Sequence, residues 1–307
     1  MRKLFLLNLV LAISFSVVAQ NKEPYMTKSL SNETVKNTEV QTSGGSITVT
    51  GVNSAAETKV EVYIHGNNGK NEISKEEITK RLEDYDLTVS VNSNKLTAIA
   101  KPKQRNMDWK KGLSISFKVF VLKNVSTDLS TSGGSINLTN LTGEQKFSTS
   151  GGSIEDSNCD GKLRLSTSGG SLNLKDLKGD IRATTSGGSV NGRNISGELV
   201  THTSGGGIHL YDLACSIEAS NSGGNIDIEI KELGKYVKIS NSGGGVDLQL
   251  PKDKGVDLDL SGGRIKTDQL GNFNGKIEDD QMEGKLNGGG VSVKVRSSGG
   301  RISLAFK

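Results

Sequence analysis

Apolar residues recur along the last two-thirds of the chain in short alternating runs that return at a fixed interval. Four positions after the first serine of successive Ser-Gly-Gly triplets stand Ile136, Ile154, Leu172, Val190, Ile208, Ile226 and Val246, and two positions further on stand Leu138, Leu174, Leu210, Ile228 and Leu248. A second alternating run precedes the next triplet, with Leu163, Ile181, Leu199, Ile217 and Val237 in one column and Phe147, Leu165, Ala183, Ala219 and Ile239 in another. A period of two predicts strands with one buried face, so each repeat holds at least two short strands separated by turns. No helical period appears in this part of the chain.

The triplets start at Ser132, Ser150, Ser168, Ser186, Ser204, Ser222, Ser242 and Ser261, with outliers at Ser43 and Ser298 and a variant at Asn287; the first five intervals are 18 residues each. A fixed period of this length predicts a solenoid, in which each repeat stacks only on its neighbours. Stacking sets equivalent residues about 4.8 Å apart, so every column becomes a ladder. The column before the serines reads Thr131, Thr149, Thr167, Thr185, Thr203, Asn221 and Asn241. Small hydroxyl and amide groups there are placed to hydrogen-bond up and down the stack at a tight corner. Gly143, Gly161, Gly179 and Gly197 fall seven residues before a triplet, where a second corner calls for positive φ or close backbone approach. A phosphate-cradling loop would need a following helix and a lysine, but a strand follows. A hexapeptide helix fails because stepping six residues from Ile136 reaches Thr142 and Ser148, and a calcium-binding nonapeptide roll would need a double glycine every nine residues.

Between Ser43 and Ser132 the period lapses. Residues 60–64 and 113–122 read as strands, residues 87–91 and 95–100 as a hairpin, and Ser74 to Glu77 as a capping box opening a short amphipathic helix through Ile78 and Leu82. This predicts an α+β cap over residues 20–123, carrying a first Ser-Gly-Gly repeat, ahead of a parallel β-solenoid over residues 124–307 with irregular capping repeats at its C-terminal end. A cap protects the open edge of a terminal repeat. The opening residues combine Arg2 and Lys3, an apolar run from Leu4 to Val18, and a small-residue exit at Ala19, which predicts a secretory signal peptide over residues 1–19. No later segment has the apolar length of a spanning helix.

The Thr-Ser-Gly-Gly-Ser-Ile-Asn-Leu repeats, the Glu76 to Tyr85 helix ahead of two strands, and the ending from Asn287-Gly288-Gly289-Gly290-Val291 through Ser298-Gly299-Gly300-Arg301-Ile302 resemble the bacterial "putative adhesin" family, exported β-solenoid proteins of Bacteroidetes-like genomes. The resemblance covers residues 40–307. It implies a single-stranded parallel β-helix of right hand, in keeping with the usual hand of parallel crossovers, and it implies little about function, since the family's name is drawn from its architecture.

Composition narrows the chemistry. Loss of residues 1–19 removes Arg2, Lys3 and no acidic residue, so the net charge falls from +4 to +2, and Trp109 is the only tryptophan. Near-neutrality without clustered aromatics gives no reason to expect nucleic acid. The most basic stretch, Lys101 to Lys111 around Trp109, reads as a solvated loop with the tryptophan packed on the cap. Cys159 and Cys215 lie three repeats apart, about 14 Å against a limit near 7 Å for a disulfide, and Cys159 shares its column with Leu141, Leu177, Ile195 and Leu213. Both facts predict unpaired thiols, that of Cys159 buried. The three histidines, His65, His202 and His209, suggest no metal pair, and no cofactor is expected. One facet stands out: His209, Asp227 and Asp247 each fall five residues after a triplet serine, with Tyr211 and Glu229 two further on, and the next repeat is expected to bring Lys266 against Asp247. Stacked carboxylates on an outward face suit a cation or a glycan hydroxyl. These readings converge on a non-catalytic, adhesin-like or scaffold protein of a Gram-negative envelope, periplasmic or extracellular, presenting flat polar ladders to glycans, cells or envelope partners. Its rivals are a polysaccharide-processing β-helix enzyme, for which the turns are too short to wall a cleft, and an envelope sensor.

Overall fold

The computed structural model describes residues 23–67, 73–104 and 108–307; the expected signal peptide and the mature start at Gln20 lie outside them. The chain is all-β, with a long, mostly parallel, unclosed sheet. Near the C-terminal end Gln281–Leu286 pairs antiparallel with Val256–Ser261 and Phe273–Ile277, and from Ser126 to Leu250 the strands fall into two ladders joined at the Ser-Gly-Gly corners. In the first, Leu129, Phe147, Leu165, Ala183, Thr201, Ala219 and Ile239 pair in register; in the second, Ile136, Ile154, Leu172, Val190, Ile208, Ile226 and Val246 do. Every residue of both columns is buried. Each large apolar side chain so enclosed contributes roughly 1.5–3 kcal/mol, and a single filled column through many layers is what holds the stack together.

The apparent outliers of the repeat are in register in space. The triplet at Ser43 lies directly against that at Ser132: Gly133 N donates to Ser43 O at 3.1 Å, Val40 pairs with Leu129, and Ile47 with Ile136. The intervening chain leaves and returns on the far side, where Lys95–Pro102 pairs parallel with Asn37–Thr42 and Leu113–Leu122 pairs parallel with Ile47–Val52. Antiparallel partners, Tyr85–Asn92, Lys59–Gly66 and Met26–Ser29, finish that end. The C-terminal end repeats the device. Val291–Ser297 lies between Ile226–Asn241 and Val256–Ser261, and Arg301–Phe306 lies between Val246–Leu250 and Arg264–Thr267. Ser303 therefore separates Asp247 from Lys266, which corrects the expected contact between those two charges. At each end a pair of strands, Asn37–Thr42 with Ile47–Val52 at one and Val291–Ser297 with Arg301–Phe306 at the other, is sandwiched one layer in and covered by segments more central in sequence.

Local chemistry follows the sequence closely. The hairpin turn at Ser93 and Asn94 has φ of 49° and 63°, the double left-handed geometry that suits a two-residue turn. The helix runs Lys75–Leu82 with Ser74 accepting from Glu77 N, but only half the capping box forms, because Glu77 bonds Arg81 at 2.6 Å instead of returning to Ser74. Gly143, Gly161, Gly179 and Gly197 take positive φ of 103–129°, as the second corner requires. Three residues before each of them stand Asn140, Asn158, Asp176 and Asn194, and before Cys215 stands Asp212, all left-handed, the residue types that bear this conformation most readily after glycine.

At the Ser-Gly-Gly corner each buried threonine is a clip between layers. Thr167 Oγ1 donates to Gly152 O of the layer before at 2.8 Å and accepts from Gly170 N of its own layer at 3.3 Å; Thr149 and Thr185 do the same one layer either side. Asn221 and Asn241 take over with Nδ2 donating to Gly206 O and Gly224 O. Replacing Thr167 by the near-isosteric valine strands a carbonyl and an amide at once. Urea denaturation should show Thr167→Val destabilised by about 1–3 kcal/mol and Thr167→Ser by much less. Equal losses in the two variants would assign the clip to packing.

Cys159 and Cys215 are both buried and unbonded. Cys215 pairs in register with the corner glycine Gly197, and burial pushes its thiol up to about 12, far from a reactive thiolate.

Candidate functional site

The outward columns of the second ladder carry the five facet residues. His209, Asp227 and Asp247 are in register on successive layers. The two carboxylates are already paired. Tyr211 donates its hydroxyl to the Asp227 carboxylate, and that bond is the main reason the phenol is held above its usual range. Glu229 meets Lys307 at 3.2 Å, and Asp247 meets Arg301 at 3.6 Å. Both cations come from the sandwiched C-terminal segment, so the fold neutralises this acidic ladder with residues distant in sequence. The facet is two places: a paired acidic half, and His209 with Tyr211 at the edge of something else.

That second place is an open recess of about 410 Å³ running across four layers. Glu155, Asn173, Asn191 and His209 form one outward column along it, with Asn191 Nδ2 donating to Asn173 Oδ1 at 3.0 Å; Ser157, Lys175, Arg193 and Tyr211 form the other. Strand alternation places both columns outward because the residues between them, Asp156, Leu174, Gly192 and Leu210, are the buried ones. Lys175 and Arg193 are exposed and directly opposite each other in register, an arrangement of like charges that costs stability. Arg193 lies over the Tyr211 ring at 5.6 Å and reaches Asp212 at 3.1 Å; Lys175 forms no ion pair among the described residues. The facet expected from the sequence begins in the column seven residues past the serine at Tyr211. The same column one and two layers back contains Arg193 and Lys175, so the signal was present in the repeat.

The first ladder's outward face is arranged differently: Lys146, Arg164 and Arg182 stack in register in one column, and acids in and beside that column offset them. Lys162 meets Glu144 at 2.9 Å, Arg164 meets Asp180 at 2.6 Å, and Lys238 meets Glu218 at 2.7 Å. The arginine holds the Asp180 carboxyl below its ordinary range. Such exposed pairs are individually weak, but they leave little net charge to attract a ligand. His202 is taken up by Ser220 and Ser204, at 2.9 and 3.3 Å. Among the described residues no group of three or more His, Cys, Asp or Glu side chains is placed to hold a metal, and no helix is long and apolar enough to cross a membrane. In the basic stretch Lys103 Nζ donates to Glu83 O at 2.8 Å; Arg105 and the Trp109 side chain lie outside the described structure.

No protein-family model matches the chain, and no curated protein matches it. Among the solved structures that resemble it, two are covered over nearly their whole length. One, a "putative cell adhesion protein" from Clostridium sporogenes, is 13% identical, with 93% of this chain and 100% of the other covered at a TM-score of 0.23. The other, a "putative adhesin" from Bacteroides fragilis, is 13% identical, with 92% and 96% covered at a TM-score of 0.37. At that identity neither likeness assigns a function to this chain.

Proposed function

We propose that this is a non-catalytic adhesin-like or scaffold protein of the bacterial envelope: a right-handed parallel β-solenoid that presents flat polar ladder faces to glycans, neighbouring cells or envelope partners outside the inner membrane. The observation that carries this reading is the second ladder, whose outward polar columns continue from layer to layer at one spacing and whose recess is open. Catalysis needs groups converging on one partly desolvated point. The facet carboxylates Asp227, Glu229 and Asp247 are instead spread over successive layers, and each is paired with a hydroxyl or a cation. Repeated shallow contacts suit a flat periodic face, and many weak contacts sum to useful adhesion. The export signal read in residues 1–19 supports an envelope location, periplasmic or extracellular.

The test is direct. Incubated with a panel of envelope and plant polysaccharides, the purified protein should release no new reducing or unsaturated ends, while immobilised multivalent glycan should retain it more strongly than the same glycan free in solution. Turnover of any polymer, abolished in the Asp227→Asn/Asp247→Asn double variant, would refute the scaffold reading and establish a hydrolase or lyase.

A further inference from the structure

We infer that the recess on the second ladder binds a linear anionic glycan, a polyuronate laid along the stack with about one sugar per layer. The inference rests on the presentation role proposed above and names its ligand class and its site.

Charge supplies the first argument. Lys175 and Arg193 face each other in register, and only Arg193 reaches a carboxylate, that of Asp212; the cation stack of the first ladder, Lys146, Arg164 and Arg182, runs instead beside a column that carries Glu144, Asp180 and Glu198, of which Glu144 and Asp180 hold Lys162 and Arg164. Like charges on adjacent strands are disfavoured unless something neutralises them, and an anion bridging the two would do so. Arg193 leaves most of its guanidinium exposed, its side chain 65% accessible despite the contact with Asp212, and a planar fork of that kind matches a carboxylate.

Shape supplies the second. The column opposite presents the Asn173 and Asn191 amides, linked to each other and still owning free donor and acceptor positions, which suits neutral sugar hydroxyls. At one end the Tyr211 ring, steadied by Arg193 and anchored through its hydroxyl to Asp227, offers an apolar edge against which a sugar can rest. The layers repeat at about 4.8 Å, comparable to the advance of one sugar in an extended chain, so carboxylates on successive sugars meet successive layers. A single compact anion would use only part of this arrangement.

The experiment compares polygalacturonate with its fully methyl-esterified form, the same backbone without the charge, on the purified full-length secreted chain. Calorimetry or immobilised-polymer retention at low salt should show binding of the charged polymer, at least tenfold weaker binding of the ester, and loss of binding as salt is raised. Lys175→Ala/Arg193→Ala should weaken binding at least tenfold with an unchanged circular dichroism spectrum, while the first-ladder control Lys146→Ala/Lys162→Ala should bind like the parent. Equal binding of charged and esterified polymer would overturn the anionic ligand and leave the presentation role standing. Equal loss in both double variants would overturn the location. Failure of the folded protein to bind polygalacturonate while it adheres to other glycans would overturn the inference alone; failure with every glycan would overturn both.

Discussion

Gly170→Ala should prevent a stable stack, while Gly169→Ala, one residue away, should fold. A Cβ on Gly170 would stand 2.1 Å from Gly152 O, 2.3 Å from Gly152 C and 2.5 Å from Ser153 N, all backbone atoms of the layer beneath that are themselves fixed by the Thr167 clip. Nothing flexible is available to move, so the layers must part, and the loss should exceed about 4 kcal/mol, the range reserved for gross steric or core failure. A Cβ on Gly169 comes no closer than 3.4 Å, to Gly151 O and Ser150 O, and faces solvent; its effect should stay within about 1 kcal/mol. The first-glycine column also tightens along the chain, the closest approach falling from 3.7 Å at Gly133 through 3.3 Å at Gly187 and 2.9 Å at Gly223 to 2.5 Å at Gly243. An alanine scan of that column should therefore cost little at Gly133 and steeply more at Gly223 and Gly243. Chemical denaturation of the series would reveal the gradient; a flat profile, or a Gly170→Ala protein as stable as the parent, would show that the corner relaxes and that the glycines are not sterically required.

The repeat itself was legible because one buried column is enough to fix strand, face and spacing. Leu163 with Leu165, or Ile136 with Leu138, can only alternate in this way if they point into a core. The corner glycines and the Thr clip were legible for the same reason, since period-locked small residues mark close approach. The order of the end layers was not legible. Every repeat has the same inward pattern, so Val293 and Val295 match the layer of Val237 and Ile239 as well as Leu258 and Leu260 do. Which segment wins depends on closing both ends of the stack at once, information absent from any single column. The same limit applied to the facet. His209, Asp227 and Asp247 were rightly aligned as a ladder, yet their neutralisation by Arg301 and Lys307 follows from the non-sequential C-terminal end. The repeat also holds the adjacent cations Lys175 and Arg193, two and one layers before Tyr211 in the same column.

Stability should fall as pH rises from about 4 to about 7, and Asp156→Leu should abolish most of that fall. Asp156 occupies an inward column between Leu138 and Leu174, is 1% exposed, and has neither carboxylate oxygen in a hydrogen bond. The Cys159 thiol and the Ser157 amide are its nearest polar groups, close enough to favour the charge slightly but off hydrogen-bonding geometry. Burial dominates and pushes its carboxyl up to about 7. The unfolded chain titrates near 3.9, so the folded state binds the proton more tightly. Below about pH 4 both states are protonated and the group carries no charge penalty. Between about 4 and 7 the unfolded chain releases its proton while the folded chain keeps it, and folding stability declines with pH; above about 7 both are ionised and the penalty is constant. At about 1.4 kcal/mol for each pH unit over roughly three units, the penalty is on the order of 4 kcal/mol. Leucine restores the residue type of its neighbours in the column without a charge or an unmet hydrogen bond. Thermal or urea melts should show Asp156→Leu more stable than the parent by several kcal/mol at pH 8 and closer to it at pH 4, with Asp156→Asn pH-independent but less stable than Asp156→Leu because its amide remains unpartnered. If the parent and Asp156→Leu proteins show the same dependence on pH, the carboxylate has found solvent or a partner, and the layer from Ile154 to Thr167 is less closed than its burial indicates.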